Sequence, residues 1–387
     1  MTETGRPGLA GQAAEDRPAA HARVTFVVSA LVVGGAERVL TALANGWAGR
    51  GSAVTIISLD SDELPPFFTI DPGVTTVRLD LQTDSANAAA AIMNNLRRLI
   101  RLRRAIRRTR PDVVISFMDR TNVLVLLATI DGRWPVIVAD RTAGDPASGR
   151  SWRFLRRVTY RRAGAIVVQT EASGRVIDPW LRRRTIAIPN PVLEPEPPLA
   201  AGPVGGEEPH LVVALGRLVD QKGFDLLIEA FATVVRRVPD ARLEIWGDGP
   251  EREALAAAIE ARGLAEHVTL AGATRQPQAA LARSEVFVLS SRIEGFPNVL
   301  IEAMALGRPV VAFDCTFGPA EIVRDGVDGL LVPVGDVDGL AAAVVRLLSE
   351  PETRTAMGQR AVEVRGRFAP GAILDRWMRL AQATSRR

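Results

Sequence analysis

Short apolar runs at residues 24–30, 53–59, 113–117, 136–139 and 165–169 alternate with helical stretches. The same alternation resumes at 211–215, 241–246, 268–270, 286–289 and 309–313. Few folds accommodate that rhythm. An unbroken apolar run of this length reads as a strand buried on both faces, and strand–helix alternation specifies a parallel sheet. Between the two series, residues 189–209 crowd Pro and Gly together without periodicity, which marks a linker or an interdomain crossover. The expected fold class is therefore α/β, with two Rossmann-like doubly wound parallel-sheet domains facing across a cleft. A chain of 387 residues suits two domains better than one. The expected division is a disordered tail at 1–22, a first domain at 23–190, a linker at 191–209 and a second domain at 210–369. Residues 370–387 read as a closing helix.

Composition limits the compartment. No run of eighteen apolar residues occurs, and residues 1–20 lack the apolar centre of a signal peptide, so a cytoplasmic protein is expected. A single cysteine, Cys315, precludes an internal disulfide, and its place just after an apolar run reads as a buried small hydrophobe rather than a nucleophile.

Charge is divided unevenly. Through residue 190 there are 27 Arg against 17 Asp and Glu, a net of +10, whereas the remainder carries 21 basic and 27 acidic residues, a net of −6. Much of the excess lies in 96–110, where Leu96, Leu99, Leu102 and Ile106 form a helical stripe flanked by arginines up to Arg110. A second basic stretch runs from Arg150 to Arg162 and includes Trp152, Phe154, Leu155 and Tyr160. Basic amphipathic helices of this kind suit an anionic membrane surface, and they equally suit a domain helix with its stripe turned inward. Nucleic acid is not an expected partner, because no binding motif accompanies the basic residues and aromatics are only 5% of the chain.

Of 48 basic residues, 47 are Arg. The exception, Lys222, falls with Arg217 in the loop after the run 211–215, just before a helix. Two cations and a positive helix end form a natural cradle for a diphosphate. A second loop comes after the run 286–289. It carries Glu294 and Glu302, with Gly295, Phe296, Pro297, Asn298, Val299 and Leu300 between them. Asn298 is the expected N-cap of the next helix, whose free N–H groups suit phosphate. Strand, Gly turn and helix place these groups at the carboxyl edge of a sheet, where open α/β folds bind ligands.

The Glu-x7-Glu spacing around Gly-Phe-Pro-Asn-Val-Leu resembles the donor-sugar motif of retaining glycosyltransferase family 4, whose fold is called GT-B. The resemblance extends to Gly34-Gly35-Ala36-Glu37-Arg38, Ile188-Pro189-Asn190-Pro191, Gly216-Arg217-Leu218 with Gln221-Lys222-Gly223-Phe224, Gly247-Asp248-Gly249-Pro250 and Gly318-Pro319-Ala320-Glu321-Ile322. It implies a transferase that moves a hexose or N-acetylhexosamine from a nucleoside-diphosphate sugar, UDP-sugar above all. It further implies that Glu302 binds ribose hydroxyls, Glu294 the sugar, and Arg217 and Lys222 the diphosphate. Gly34 and Gly35 let the backbone approach a ligand closely, so their loop is expected to cover the donor phosphate or to admit the acceptor. The last segment resembles transferases of N-acetylgalactosamine or galactose acting on lipid-linked glycans. By the same resemblance the closing helix crosses back onto the first domain.

No cofactor and no catalytic metal are expected. Asp60-Ser61-Asp62 and Asp336-Val337-Asp338 have the Asp-x-Asp spacing of metal-dependent transferases but not the surrounding sequence, and fixed cations supply the charge stabilisation a metal would. The family's first-domain histidine facing the donor sugar has no counterpart, since His21, His210 and His267 all lie elsewhere. Acceptor-side candidates are Glu37 in the glycine loop, Asp119-Arg120 after 113–117, and Arg141 after 136–139. The alternatives to a lipid-linked acceptor are a soluble one, a nucleotide-sugar epimerase, or a binding protein without turnover.

Overall fold

The computed structural model describes residues 22–386, apart from 33, 64, 82–87, 142–148 and 194–207. Almost all of the tail expected at 1–22, and most of the linker expected at 191–209, thus lie outside the described residues. The first half runs β1 (Arg23–Val28), α1 (Gly35–Gly49), β2 (Ala53–Ser58), β3 (Val74–Arg78), α2 (Ala88–Thr109), β4 (Val113–Phe117) and α3 (Asp119–Ala128). It continues through β5 (Val136–Ala139), α4 (Arg150–Tyr160), β6 (Ala165–Val168), α5 (Glu171–Val176) and β7 (Thr185–Ala187). The second half opens with β8 (Leu211–Leu215), α6 (Phe224–Arg237), β9 (Arg242–Trp246), α7 (Arg252–Ala261), β10 (Val268–Gly272) and α8 (Pro277–Arg283). Then come β11 (Val286–Leu289), α9 (Asn298–Ala305), β12 (Val310–Phe313), α10 (Pro319–Ile322) and β13 (Gly329–Val332). Four helices end the chain: α11 (Val337–Ser349), α12 (Pro351–Ala361), α13 (Val364–Arg367) and α14 (Pro370–Ser385).

The strands form two parallel sheets, in the orders β3-β2-β1-β4-β5-β6-β7 and β10-β9-β8-β11-β12-β13. Central strands β4, β5, β6, β11 and β12 are buried along their whole length, as helices on both faces of a parallel sheet require. The order reverses between β1 and β4, and again between β8 and β11. Those two switch points open crevices at the carboxyl ends of the strands.

Helix α14 buries Ile373, Leu374, Trp377 and Met378 in the same core as β1, β4 and α1. Trp377 stacks on Phe117 of β4 at 5.9 Å and 19°, and Arg50 at the end of α1 pairs with Asp375. Both halves of the chain thus contribute to the first core. Trp377→Ala should destabilise the protein by about 3–5 kcal/mol, seen as an earlier urea transition by circular dichroism. An unchanged midpoint would show that the stack carries no such weight.

Candidate active site

Every side chain at the crevice is set by the turn that ends a strand. After β8 the chain turns through Gly216, Arg217 and a short 3-10 turn ending at Lys222. Gly223 then adopts φ +62, with its backbone packed against the Ser290 carbonyl where a Cβ would collide, so only glycine fits. Ser290 answers by donating its hydroxyl to the Lys222 carbonyl at 2.9 Å. The loop 247–250 braces the other side, with Leu218 N–H donating to the Asp248 carbonyl at 3.0 Å.

The two loops carry opposite charges into contact. Lys222 Nζ lies 2.5 Å from Glu294 Oε1, which also accepts the Ser291 hydroxyl at 2.6 Å. Glu294 is only 7% exposed. Arg217 is exposed beside them and has no ion-pair partner among the described residues. Cys315 is buried nearby and its thiol is pushed up to about 12, chiefly by burial, so it is inert as a nucleophile.

The expected N-cap is corrected. Pro297 holds the cap position of α9 and Asn298 is its first helical residue. Pro297 has the extended backbone a cap needs, which leaves the Asn298 amide free to reach across the crevice. There its Oδ1 accepts from Asn190 Nδ2 at 2.7 Å, and its Nδ2 faces the Gly35 carbonyl at 3.5 Å. Gly295 sits against the first half of the chain, and a Cβ there would lie 2.9 Å from the Arg141 carbonyl. Gly34 is the N-cap of α1, with Glu37 folded over it.

Glu302 lies inside α9, and its carboxylate is bound from the opposite domain. Arg38 of α1 pairs with Oε1, while Gln278 Nε2 approaches Oε2 at 3.3 Å. Arg38 is a residue that sequence reasoning left unassigned, although it completes the motif containing Glu37. Glu321 is another. Its carboxylate accepts the Glu171 and Ala172 N–H groups at 2.9 and 2.8 Å, satisfying the open end of α5 from across the crevice.

The acceptor-side candidates do not all converge. Asp119 accepts the Trp152 indole N–H at 2.8 Å, which ties it to α4, and Arg120 is exposed. Arg141 does reach the crevice. It donates to Asn190 Oδ1 and lies over the Phe117 ring at 4.6 Å, and its Nε and Nη2 are buried without a hydrogen-bond partner among the described residues. Burial pulls its guanidinium down to about 9, with Asp140 and Glu37 acting against the fall, so it remains a cation at neutral pH. Burial likewise raises the Glu37 carboxyl, and Arg141 opposes that rise. Met118, at the end of β4, holds φ +72, and Phe317, after β12, holds φ +71. Both are uncommon for side chains of that size, and both lie where strands open onto the crevice.

The Asp-x-Asp pairs are committed elsewhere. Asp60 accepts the Leu31 N–H and pairs with Arg78, whereas Asp336 caps α11 through Gly339 N–H. Among the described residues no three His, Cys, Asp or Glu side chains gather as metal ligands would.

Known proteins resemble this chain in sequence and fold. Residues 203–364 match the glycosyl transferases group 1 family, and residues 34–191 match the glycosyl transferase 4-like domain. The lipopolysaccharide core biosynthesis glycosyltransferase LpsE of Rhizobium meliloti is 30% identical over 370 residues, covering 90% of this chain and 95% of LpsE. The chain belongs to the glycosyltransferase group 1 family. A Campylobacter jejuni α-1,4-N-acetyl-D-galactosaminyltransferase named for a diNAcBac-PP-undecaprenol-linked acceptor is 26% identical, covering 92% of this enzyme and 98% of the relative. An exopolysaccharide phosphotransferase of Streptomyces coelicolor is 30% identical over 94% of this chain, but the enzyme spans only 41% of that protein's length. Sucrose-phosphate synthase from Thermosynechococcus elongatus superposes with a TM-score of 0.79 at 20% identity, covering 93% of this enzyme and 98% of the synthase. The fold is GT-B.

Burial holds the Glu302 carboxyl above its usual range, and Arg38 draws it back only in part. A carboxyl whose folded pKa is raised adds stability that is complete below its unfolded pKa and lost as pH rises through the folded one. At neutral pH the ionised group therefore weighs against folding. Glu302→Gln should equal or exceed the wild-type denaturation midpoint near about pH 7.5, with the advantage shrinking towards roughly pH 4. A midpoint lower than wild type at the higher pH would contradict this account.

Proposed function

We propose that the enzyme is a metal-independent retaining transferase that moves a hexose or N-acetylhexosamine from a UDP-sugar to a lipid-linked glycan. The observation that carries the reading is the Lys222–Glu294 pair in the loop leading into α9, together with Glu302 inside α9 held by Arg38 of the other domain. The Campylobacter relative is named for a polyprenyl-diphosphate acceptor. Anabaena HepE, solved with UDP-glucose, shares the fold at a TM-score of 0.73 and 18% identity, covering 94% of this enzyme and 99% of HepE.

In this reading the diphosphate lies between Arg217, Lys222 and the first N–H groups of α9. An ammonium has three donors, so Lys222 can keep Glu294 and still hold phosphate oxygen. Ribose hydroxyls replace Arg38 on Glu302. As the sugar–oxygen bond breaks, negative charge grows on the distal phosphate, where the two fixed cations stabilise it. The acceptor hydroxyl attacks the same face of the sugar and passes its proton to the departing phosphate oxygen, giving glycoside and nucleoside diphosphate. Glu37 and Arg141 line the acceptor side, and Arg141 takes an anionic acceptor group there.

A lipid-borne acceptor fits the outer face of the first domain. Leu102, Ile106 and Tyr160 turn inward, but Met93, Leu96 and Ile100 on α2 and Phe154 and Val158 on α4 are exposed among arginines. Phe154 is 68% exposed. The stripe expected on 96–110 is thus split, with Leu96 on the outer side. No helix among the described residues is long and apolar enough to cross a membrane. We assign the enzyme to the inner surface of the cytoplasmic membrane, held by this face.

Incubated with a panel of nucleotide sugars and EDTA, wild type should release nucleoside diphosphate from one donor when polyprenyl-linked acceptor is present. Lys222→Ala should lower that rate by about 10²–10³. Full activity in the variant, abolition by EDTA, or a product of inverted anomeric configuration would each remove a part of the proposal. Epimerised free nucleotide sugar without acceptor would replace it. Separately, Leu96→Ser with Phe154→Ser should cut sedimentation with phosphatidylglycerol vesicles about tenfold, in line with ~0.8 kcal/mol per buried CH2. Undiminished sedimentation would rule out this face as the contact.

A further inference from the structure

The strands β1, β4 and β5 carry the crevice residues at their carboxyl ends, and a second concentration of charge at their amino ends. There an open-sided cavity of about 860 Å³ lies on the far edge of the sheet. Three separate elements build it. Arg23 opens β1. Arg104, Arg107 and Arg108 come from the last two turns of α2, with Arg110 just beyond, and Arg133 precedes β5. Asp112 answers Arg23 at 2.7 Å, but the other five guanidiniums have no ion-pair partner among the described residues.

Arginines in a last helical turn complement the helix dipole, which accounts for Arg107 and Arg108 alone. It does not account for Arg104, Arg110 and Arg133 facing the same space, where like charges repel unless an anion intervenes. Trp134 forms part of the wall, yet it is only 8% exposed and already lies under Arg103 and Arg133, at 6.0 and 5.5 Å. No aromatic face is left for a base or a sugar to stack on. The lining offers planar charged forks and little else, which selects multiply charged phosphate.

We propose that this cavity is a second anion site, distinct from the donor crevice, that binds a phosphate-bearing group carrying several charges. It rests on the cavity alone and stands whether or not the apolar face of α2 and α4 meets a bilayer. Strands of four to six residues separate it from the crevice by roughly 13–20 Å, so one phosphate group cannot serve both.

The test is calorimetric titration of the full chain with tripolyphosphate, with UDP at saturation throughout. Wild type should bind saturably. Arg104→Ser/Arg107→Ser/Arg108→Ser should bind at least tenfold more weakly, and the charge-matched Arg183→Ser/Arg236→Ser/Arg237→Ser within twofold of wild type. All six positions are exposed, and circular dichroism checks that both triples are folded. Phosphatidylglycerol vesicles form the second arm. Competition between vesicles and tripolyphosphate for the same arginines identifies a lipid headgroup, and tripolyphosphate binding alone identifies a soluble phosphate, either of which supports the site. Absence of saturable binding, equal losses in the two triples, or tighter capture of a short DNA duplex through the same arginines would overturn it.

Discussion

A carboxylate removed from water has to be paired, hydrogen-bonded or protonated, and this crevice holds two buried ones. Glu294 and Glu302 are both 7% exposed, and each solves the problem differently. Glu294 takes Lys222 from the neighbouring loop of its own domain, so the pair exists whatever the other domain does. Glu302 takes Arg38 from the opposite domain, so its neutralisation depends on the two halves standing close together. One of the two charges in the crevice is therefore paired within its own domain, and the other is paired only when the two halves stand together.

The remaining contacts across the crevice obey that division. Asn190 ties Arg141 to Asn298, and Glu321 completes the exposed end of α5. Each joins a group at the carboxyl end of one sheet to a helix terminus of the other. At α5 the contact uses backbone donors left unpaired at the helix end, whereas at α9 it is made by the Asn298 side chain. The last helix, stacked through Trp377 on Phe117, keeps the second half of the chain anchored to the first.

Much of this was legible in the sequence wherever burial is two-sided. Runs such as 113–117 and 286–289 read as strands because a parallel sheet covered on both faces tolerates only apolar side chains. Edge strands β3 and β7 escaped, since Thr75, Thr76 and Thr185 are not buried and break any apolar run; β13 escaped although it is apolar and largely buried, being only four residues long and opened by a glycine. The loop carrying Glu294 stood out for its spacing and its glycine. Arg38 and Glu321 did not, because their roles exist only when two domains meet, and no local pattern encodes a partner about 264 residues away. Asp119 looked like a crevice residue by its address, but the Trp152 indole had already claimed it. Asn298 was misplaced by one position, a single step that turned a helix cap into a bridge.

The lone lysine has a geometric reason as well as an electrostatic one. Its stem lies across Gly216, where a Cβ would stand 3.3 Å from Cδ and Cε, so the loop leaves just enough room for a slim methylene chain. At its end, the ammonium faces a single Glu294 oxygen at 2.5 Å, and that oxygen is shared with Ser291. A guanidinium is planar, longer, and strongest when two of its N–H groups meet two oxygens side by side. Here the contact is to one Glu294 oxygen, and the path to it across Gly216 is narrow. A compact charge on a slim stem fits that path, whereas a planar fork needs more room. In a chain that uses arginine 47 times out of 48, the exception falls where the path to a buried carboxylate runs past a glycine.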